Sequence, residues 1–282
     1  MTEIAGPIAF QGLYGAYADL TARAIFPGIA TLPCPTFDSV FVAVREGHAE
    51  RGVIPVENSL YGRIADIHHL LPGGGLKIVG ERYEPIHHYL LGVPGARLED
   101  IREALSQEPA LGQVAKTLRR LGIKPVARTD TAGSAAEVAA TGDRSKAAVA
   151  SALAAEIHGL DILLSNIEDA EHNTTRFLVM ARETMKLPAD CAVAVVGFAF
   201  EVCNIPAALY KVLGGFATNG VNMTKLESYM VGGSFAATQF YAEVEGRMDD
   251  PAMERAFEEL RFFARSVDIL GAFPGDPDRR SG

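Results

Sequence analysis

A surplus of positive charge is missing from this chain: 26 lysines and arginines face 35 aspartates and glutamates, a formal net charge of −9, with no long block of either sign. A stripe that would neutralise nucleic-acid phosphates is therefore not expected. Cysteine is scarce as well. Cys34, Cys191 and Cys203 form neither an even set nor a CxxC pair, which argues against a disulfide scaffold and a zinc knuckle and points to a reducing compartment. The longest apolar run, Cys191 to Phe200, falls well short of the ~20 residues that span a bilayer. The amino terminus, MTEIAGPIAFQG, lacks a basic n-region followed by an apolar h-region. The expectation is a soluble cytoplasmic protein with neither nucleic acid nor membrane as partner. Tandem repeats and low-complexity tracts are absent too.

What is present is a chain able to bury a core: 282 residues, 48% apolar and 22% charged, a length that suits two domains or one domain with an appendage. Short apolar runs alternate with amphipathic stretches from Ile4 to about Arg182, an α/β rhythm. A single helix is expected over Leu111–Leu121, and Pro274–Gly282 reads as a polar, disordered tail. Glu183 to Asp190, with Lys186 and Pro188, is the best linker. Domains are expected over 1–184 and 191–273, with a tail at 274–282. Beyond the linker the order is strand, helix, strand, strand, helix, strand: Ala192–Glu201, Ala207–Asn219, Asn222–Tyr229, Phe235–Glu245, Pro251–Arg265, Ser266–Phe273. That is βαββαβ, the ferredoxin-like order.

Three stretches could carry chemistry. Gln11-Gly12-Leu13-Tyr14-Gly15 follows an apolar strand and opens a helix, where glycines let backbone approach a ligand and free NH groups favour an anion such as a carboxylate. Glu57-Asn58-Ser59 ends a second apolar strand, at the carboxyl end where open α/β sheets bind ligands; Asn58 or Ser59 could equally cap the next helix. In Asn173-Thr174-Thr175-Arg176-Phe177 a hydroxyl and a guanidinium leave one loop–strand junction. Arg176 could hold a carboxylate bidentately, and Thr175 could donate to a departing hydroxyl. The pairs His68-His69 and His87-His88 read as structural or surface residues, because sequence neighbours diverge on a helix or strand. No metal-ligand spacing is present.

Taken in order, AFQGLYGAY, GVIPVENSLYG, TDTAGSAAEVA, the NIED at Asn166–Asp169, NTTRFLVMAR and NIPAALYKVLGGFATNGVNMTKLES resemble the prephenate dehydratases, including the related plant arogenate dehydratases, from Ile4 to about Phe273. The resemblance implies an α/β catalytic domain of two lobes, built like a periplasmic binding protein with the active site in the cleft, followed by a ferredoxin-like βαββαβ ACT domain. It implies a homo-oligomer, a dimer or a tetramer assembled from dimers, and a reaction needing no cofactor and no metal: loss of water and carbon dioxide from prephenate to give phenylpyruvate, a hydro-lyase step in phenylalanine biosynthesis. Arogenate is the alternative substrate, and a sensor without chemistry the alternative function. Carried across, the catalytic residues are Thr175, Asn58, Ser106 and Gln113. Substrate binding falls to Gln11, Gly12, Gly15, Glu57, Ser59, Thr131, Ala132, Thr174, Arg176 and Phe177, with helix amino termini after Gly15 and near Thr131–Gly133 receiving the anionic groups. The effector, L-phenylalanine, would meet Asn204, Ala207, Ala208, Leu209, Asn222, Leu226, Glu227 and Ser228. The family's SHP reads Ser106-Gln107-Glu108-Pro109 here, and a family glycine is Ala207, whose methyl should weaken regulation.

Overall fold

The computed structural model describes residues 4–64, 67, 70–203, 205–230 and 237–280. His68, His69 and Asn204 lie outside them. The chain divides into two compact units: Met1–Ile64 with Tyr83–Phe177, and Ala65–Arg82 with Leu178–Gly282.

The first unit is mixed α/β and built on two sheets. One is built from β1 (Ile8–Gln11), β2 (Thr31–Cys34), β3 (Arg51–Asn58), the short β4 (Gly62–Arg63), β5 (Lys77–Pro85) and β11 (Thr174–Ala181), in the order β2-β1-β3-β11-β5 with β4 on β3. β5 and β11 each carry the chain from one unit to the other. The other sheet holds β6 (Tyr89–Gly92), β7 (Glu103–Ser106), β8 (Lys124–Ala127), β9 (Lys146–Ala150) and β10 (Asp161–Leu164), in the order β10-β6-β9-β7-β8. In β1, Ile8, Ala9 and Phe10 are all fully buried, a continuous apolar run rather than an alternation, because a strand paired in parallel on both sides is covered on both faces. Helices α1 (Tyr17–Ile25) and α2 (Phe37–Arg45) follow the first two strands. Thr36 and Ser39 close a capping box that fixes where α2 begins.

One expectation changes here. The helix expected over Leu111–Leu121 is two, α3 (Glu108–Gln113) and α4 (Ala115–Leu121), separated at Val114 with φ −118° and ψ 12°. The break lets the Asp169 carboxylate accept from the N–H groups of Lys116 and Thr117 at 2.8 and 3.1 Å, a cap supplied from the distant NIED stretch. The alanine-rich segment after Lys146 forms β9 and then α6 (Ala152–His158), divided at Ser151, which is extended and whose hydroxyl accepts from Ala154 N–H. Helix α5 (Thr131–Thr141) precedes β9.

In the second unit β12 (Ala194–Val202), α7 (Ala208–Thr218), β13 (Met223–Met230), β14 (Ala237–Glu245), α8 (Pro251–Phe263) and β15 (Ala264–Pro274) follow the βαββαβ order, and the sheet runs β13-β14-β12-β15 with antiparallel pairing throughout. Both helices cover one face. Phe198 is the centre of the core they enclose, 5.5 Å from the Phe216 ring and 4.9 Å, edge-on, from Phe257. On the other face Ile78 packs against Gly197 and Gly271, where a side chain on Gly271 would collide with the Ile78 carbonyl.

The expectation of a disordered tail is corrected. Residues Pro277–Arg280 form a turn of 3₁₀ helix, and Arg279 donates to both Glu81 carboxylate oxygens at 2.9 and 2.7 Å, to Glu243 Oε2 at 2.6 Å and to Thr224 Oγ1 at 2.7 Å. The Glu81 and Glu243 side chains are fully buried, and a buried carboxylate needs a cation. A polar tail sequence thus becomes an internal counter-ion.

Candidate functional site

The first unit gathers polar side chains from β3, β11, α1, α3 and the loop before β6 into one connected set. It starts at the end of β3. Asn58 Oδ1 accepts from Leu60 N–H at 2.9 Å and Tyr61 N–H at 3.1 Å, an Asx turn that fixes which end of the carboxamide is oxygen. The Asn58 amide nitrogen then donates to Thr175 Oγ1 at 3.0 Å and to Asn173 Oδ1 at 2.8 Å. Thr175, 8% exposed, is thereby an acceptor toward the protein, and its own proton is left for something else. Gln113, the last residue of α3, donates from Nε2 to Asn173 Oδ1 at 3.5 Å and meets His88 Nε2 with Oε1 at 2.5 Å. His88 Nδ1 lies 2.6 Å from the Tyr17 hydroxyl, which is also 3.0 Å from the His87 carbonyl. Glu168 accepts from the His88 backbone N–H and pairs with His87 Nδ1, at 2.9 and 2.8 Å.

Burial sets the protonation states. His88 is 1% exposed, and burial pushes its pKa below the ordinary imidazole value, against the opposing pull of the Gln113 hydrogen bond and the Glu168 charge. Burial drives the Tyr17 hydroxyl well above its usual range, with Glu168 and Tyr89 adding to it. Burial raises Glu168, but the bonds from the His87 ring and the His88 N–H bring it below the usual carboxylate value. Asn173, 3% exposed, has an amide nitrogen with no hydrogen-bond partner among the described residues, a donor waiting for an acceptor.

Thr175, Asn58 and Gln113 therefore come together as the sequence suggested, and Ser106 does not. Its hydroxyl is fully buried at the end of β7 and donates to the Val149 carbonyl at 2.6 Å. Ser59 ties loops together: it donates to the His172 carbonyl at 2.6 Å and accepts from Thr174 N–H at 3.0 Å, while its own N–H reaches the Thr174 carbonyl. Arg176, 2% exposed, is paired with Glu57 at 2.9 Å and lies over the Tyr83 ring, so its charge already has a protein partner and links β3 to β11. Phe177 is core, packed with Ile8, Phe10 and Val53.

The reading of two helix starts as open anion sites is corrected. Gly15 N–H donates to the buried carboxylate of Asp19 at 2.9 Å, and Asp130 Oδ1 accepts from Gly133 N–H at 2.6 Å, just ahead of the buried Thr131 and Ala132. Each helix start already faces a carboxylate of this chain, which discourages a second anion. Gly15 serves a close approach instead: at φ +90°, a Cβ there would sit 2.8 Å from Ala154 Cα. Gly12, φ +116°, donates to the Cys34 carbonyl, and Gln11 closes β1 half-buried. Leu13, Tyr14, Leu60 and Tyr61, in the loops after β1 and β3, are exposed apolar side chains suited to a ring.

Of the effector positions, Leu226 and Ser228 share the more exposed face of β13, Glu227 turns to the other face beside Lys225, and Asn222 donates to Glu245 at 3.0 Å. Ala207 caps α7, with Ala208 buried and Leu209 half-buried behind it. His88, Asn173 and Tyr17 were missed by sequence reasoning. Asn173 and Tyr17 stand inside the stretches quoted above and His88 inside the His87-His88 pair, which read as structural.

The chain is similar to proteins already known. A family model described as prephenate dehydratase matches residues 8–185. A Komagataeibacter europaeus protein named bifunctional N-acyl-homoserine lactone acylase/prephenate dehydratase is 50% identical over 273 residues, 97% of each chain. Arabidopsis thaliana arogenate dehydratase/prephenate dehydratase 1, chloroplastic, is 38% identical over 283 residues, 95% of this chain and 72% of the plant protein. The structure of a prephenate dehydratase from Arthrobacter aurescens in complex with L-Phe matches with a TM-score of 0.87 at 25% identity, covering 97% of this chain and 91% of that one.

Proposed function

Since the chain belongs to the prephenate dehydratase family, we propose that it converts prephenate to phenylpyruvate and that Thr175 assists the leaving hydroxyl. The observation that carries the proposal is the Asn58 amide donating to Thr175 Oγ1. An oxygen that accepts from the protein directs its proton outward, toward a substrate oxygen. A lone threonine has no pKa near 7, so it acts as a hydrogen-bond donor that follows the departing oxygen as charge develops on it. The C–O bond breaks, the hydroxyl leaves with the Thr175 hydrogen bond on its oxygen and takes one proton from solvent to become water, the ring carboxylate leaves as carbon dioxide, and the electron pair of the broken C–C bond completes the aromatic ring. Asn173 shares the Asn58 amide with Thr175, Gln113 reaches Asn173, and the two position the substrate, while the exposed apolar side chains after β1 and β3 receive its ring. L-Phenylalanine is the regulatory ligand, bound by the βαββαβ region near Ala207–Leu209 and β13 of an oligomer. The plant relative's name supports arogenate as a second substrate.

Purified protein incubated separately with prephenate and arogenate, with products identified, tests this reading. Phenylpyruvate from the first supports it, phenylalanine from the second alone shifts it to arogenate, and no turnover of either overturns it. The relative at 50% identity supports one further assay. N-Acyl-homoserine lactone is offered to the same preparation, and release of homoserine lactone and free fatty acid marks an acylase activity beside the first.

A further inference from the structure

The donor and acceptor directions in the polar set can be solved from its backbone-fixed end. Two backbone N–H groups require oxygen at Asn58 Oδ1, so nitrogen faces Asn173. Asn173 must answer with Oδ1, which agrees with its amide nitrogen being the atom left without a partner among the described residues. Gln113 then faces Asn173 with nitrogen and His88 with oxygen. An oxygen 2.5 Å from an imidazole nitrogen requires that nitrogen to carry the proton. His88 is consequently Nε2–H, its Nδ1 is bare in the neutral ring, and the Tyr17 hydroxyl at 2.6 Å donates to it. Asn58 anchors one end of the set through two backbone N–H groups, and His88 anchors the other, its backbone N–H held by Glu168 and its ring by Tyr17.

We propose, building on the dehydratase reading, that His88 is a positioning residue. As the Nε2–H tautomer it holds the Gln113 carboxamide with its NH2 edge toward Asn173, which shares the Asn58 amide with Thr175, and Tyr17 holds His88. Four titratable groups face or adjoin the ring or its backbone: Tyr17 from α1, Glu168 from the loop after β10, and His87 and Tyr89 on either side of it in the chain. In the protonated ring Nε2 still donates to Gln113 and Tyr17 turns its proton to the His87 carbonyl, so the positioning does not depend on the charge of His88.

Nitrogen NMR of the His88 ring in the unmodified protein is the first test. A protonated Nε2 with a bare Nδ1 near neutral pH is expected, and the opposite tautomer overturns the proposal whatever the enzyme turns over. Kinetics supply the second. His88→Leu should lower kcat/KM on the order of 10-fold to 10²-fold, the scale of a misplaced substrate contact. His88→Gln, which can place an N–H where Nε2 was, should recover most of that loss, and His88→Asn, which matches only Nδ1, should not. In a Gln113→Ala background His88→Leu should cost little more, since the histidine acts through the glutamine. Equal activity of the Gln and Asn variants, or fully additive losses in variants with matched unfolding midpoints, overturns the proposal. Wild-type protein inactive on both substrates instead overturns the dehydratase reading, while the ring spectrum still reports the tautomer.

Discussion

At Ala207 the backbone takes φ +62° and ψ 12°, the left-handed region, with a Cβ in place. That conformation costs an L-residue roughly 1–2 kcal/mol, more than the about 0.5–1 kcal/mol of unfolded-chain entropy that glycine adds. Ala207→Gly should therefore raise stability by about 0.5–1 kcal/mol, read as a higher urea midpoint at unchanged slope. Thr175 stands at the opposite extreme, a residue expected to matter for rate. Thr175→Ala should lower kcat by a factor on the order of 10² or more, and Thr175→Ser should keep much more activity, because it preserves the hydroxyl that Asn58 orients. An alanine variant with wild-type kcat and an intact fold removes Thr175 from the mechanism. The residues that set this geometry were unevenly legible. Thr175 and Asn58 stood out because each lies where an apolar strand meets a polar stretch, and Gln113 was named through the family resemblance. His88 did not, because its partners, Tyr17 and Gln113, are 71 and 25 positions away, and only the fold brings them together. Ser106 had a motif but not a site: the motif recorded a residue type, and its hydroxyl closes a bond to Val149 inside the sheet.

Among the elements, β12 to β15 with their two helices were readable because strand and helix periods differ and the turns are polar. The break at Val114 was not, since its cause is a carboxylate more than 50 positions away. The face of β13 that carries Leu226 and Ser228 makes the effector proposal testable in the full chain. Calorimetric titration with L-phenylalanine should show binding that Leu226→Glu abolishes and Thr175→Ala leaves in place. Loss on Thr175→Ala alone would move the ligand to the first unit. The 3₁₀ turn at Pro277–Arg280 looked expendable by composition, yet it inserts Arg279 between two buried carboxylates. Removing one partner of such a group costs about 3–5 kcal/mol, so Arg279→Leu should cut the unfolding free energy by about that much in chemical denaturation. A loss under about 1 kcal/mol would mean that other contacts carry the two glutamates.

At the scale of the molecule, acid should act in two steps. Burial lowers the pKa of His88 and of His158 below 6.5 in the folded state. The unfolded chain then takes up protons first, and stability that is complete above about pH 6.5 is lost as pH falls toward the folded values. A second loss begins below about 4.5, where Glu137 and Glu168, held low by hydrogen bonds in the folded state, are protonated first in the unfolded chain. Denaturation midpoints between pH 7 and 5 should decline in the wild type and decline less in His88→Gln. Equal slopes would mean that His88 does not titrate differently on folding. The division of the chain has a further consequence, for synthesis on the ribosome. Segment 65–82 leaves the ribosome early, carrying the apolar residues Leu71, Leu76 and Ile78, but the block it joins begins only at Leu178. At ~5–20 residues per second that block starts to appear roughly 5–20 s later and is complete only after about 10–40 s. During that interval the first unit's chain is completed while Leu71, Leu76 and Ile78 still lack the block they join. Nascent protein is therefore most exposed to aggregation, and most in need of a chaperone, in the middle of translation.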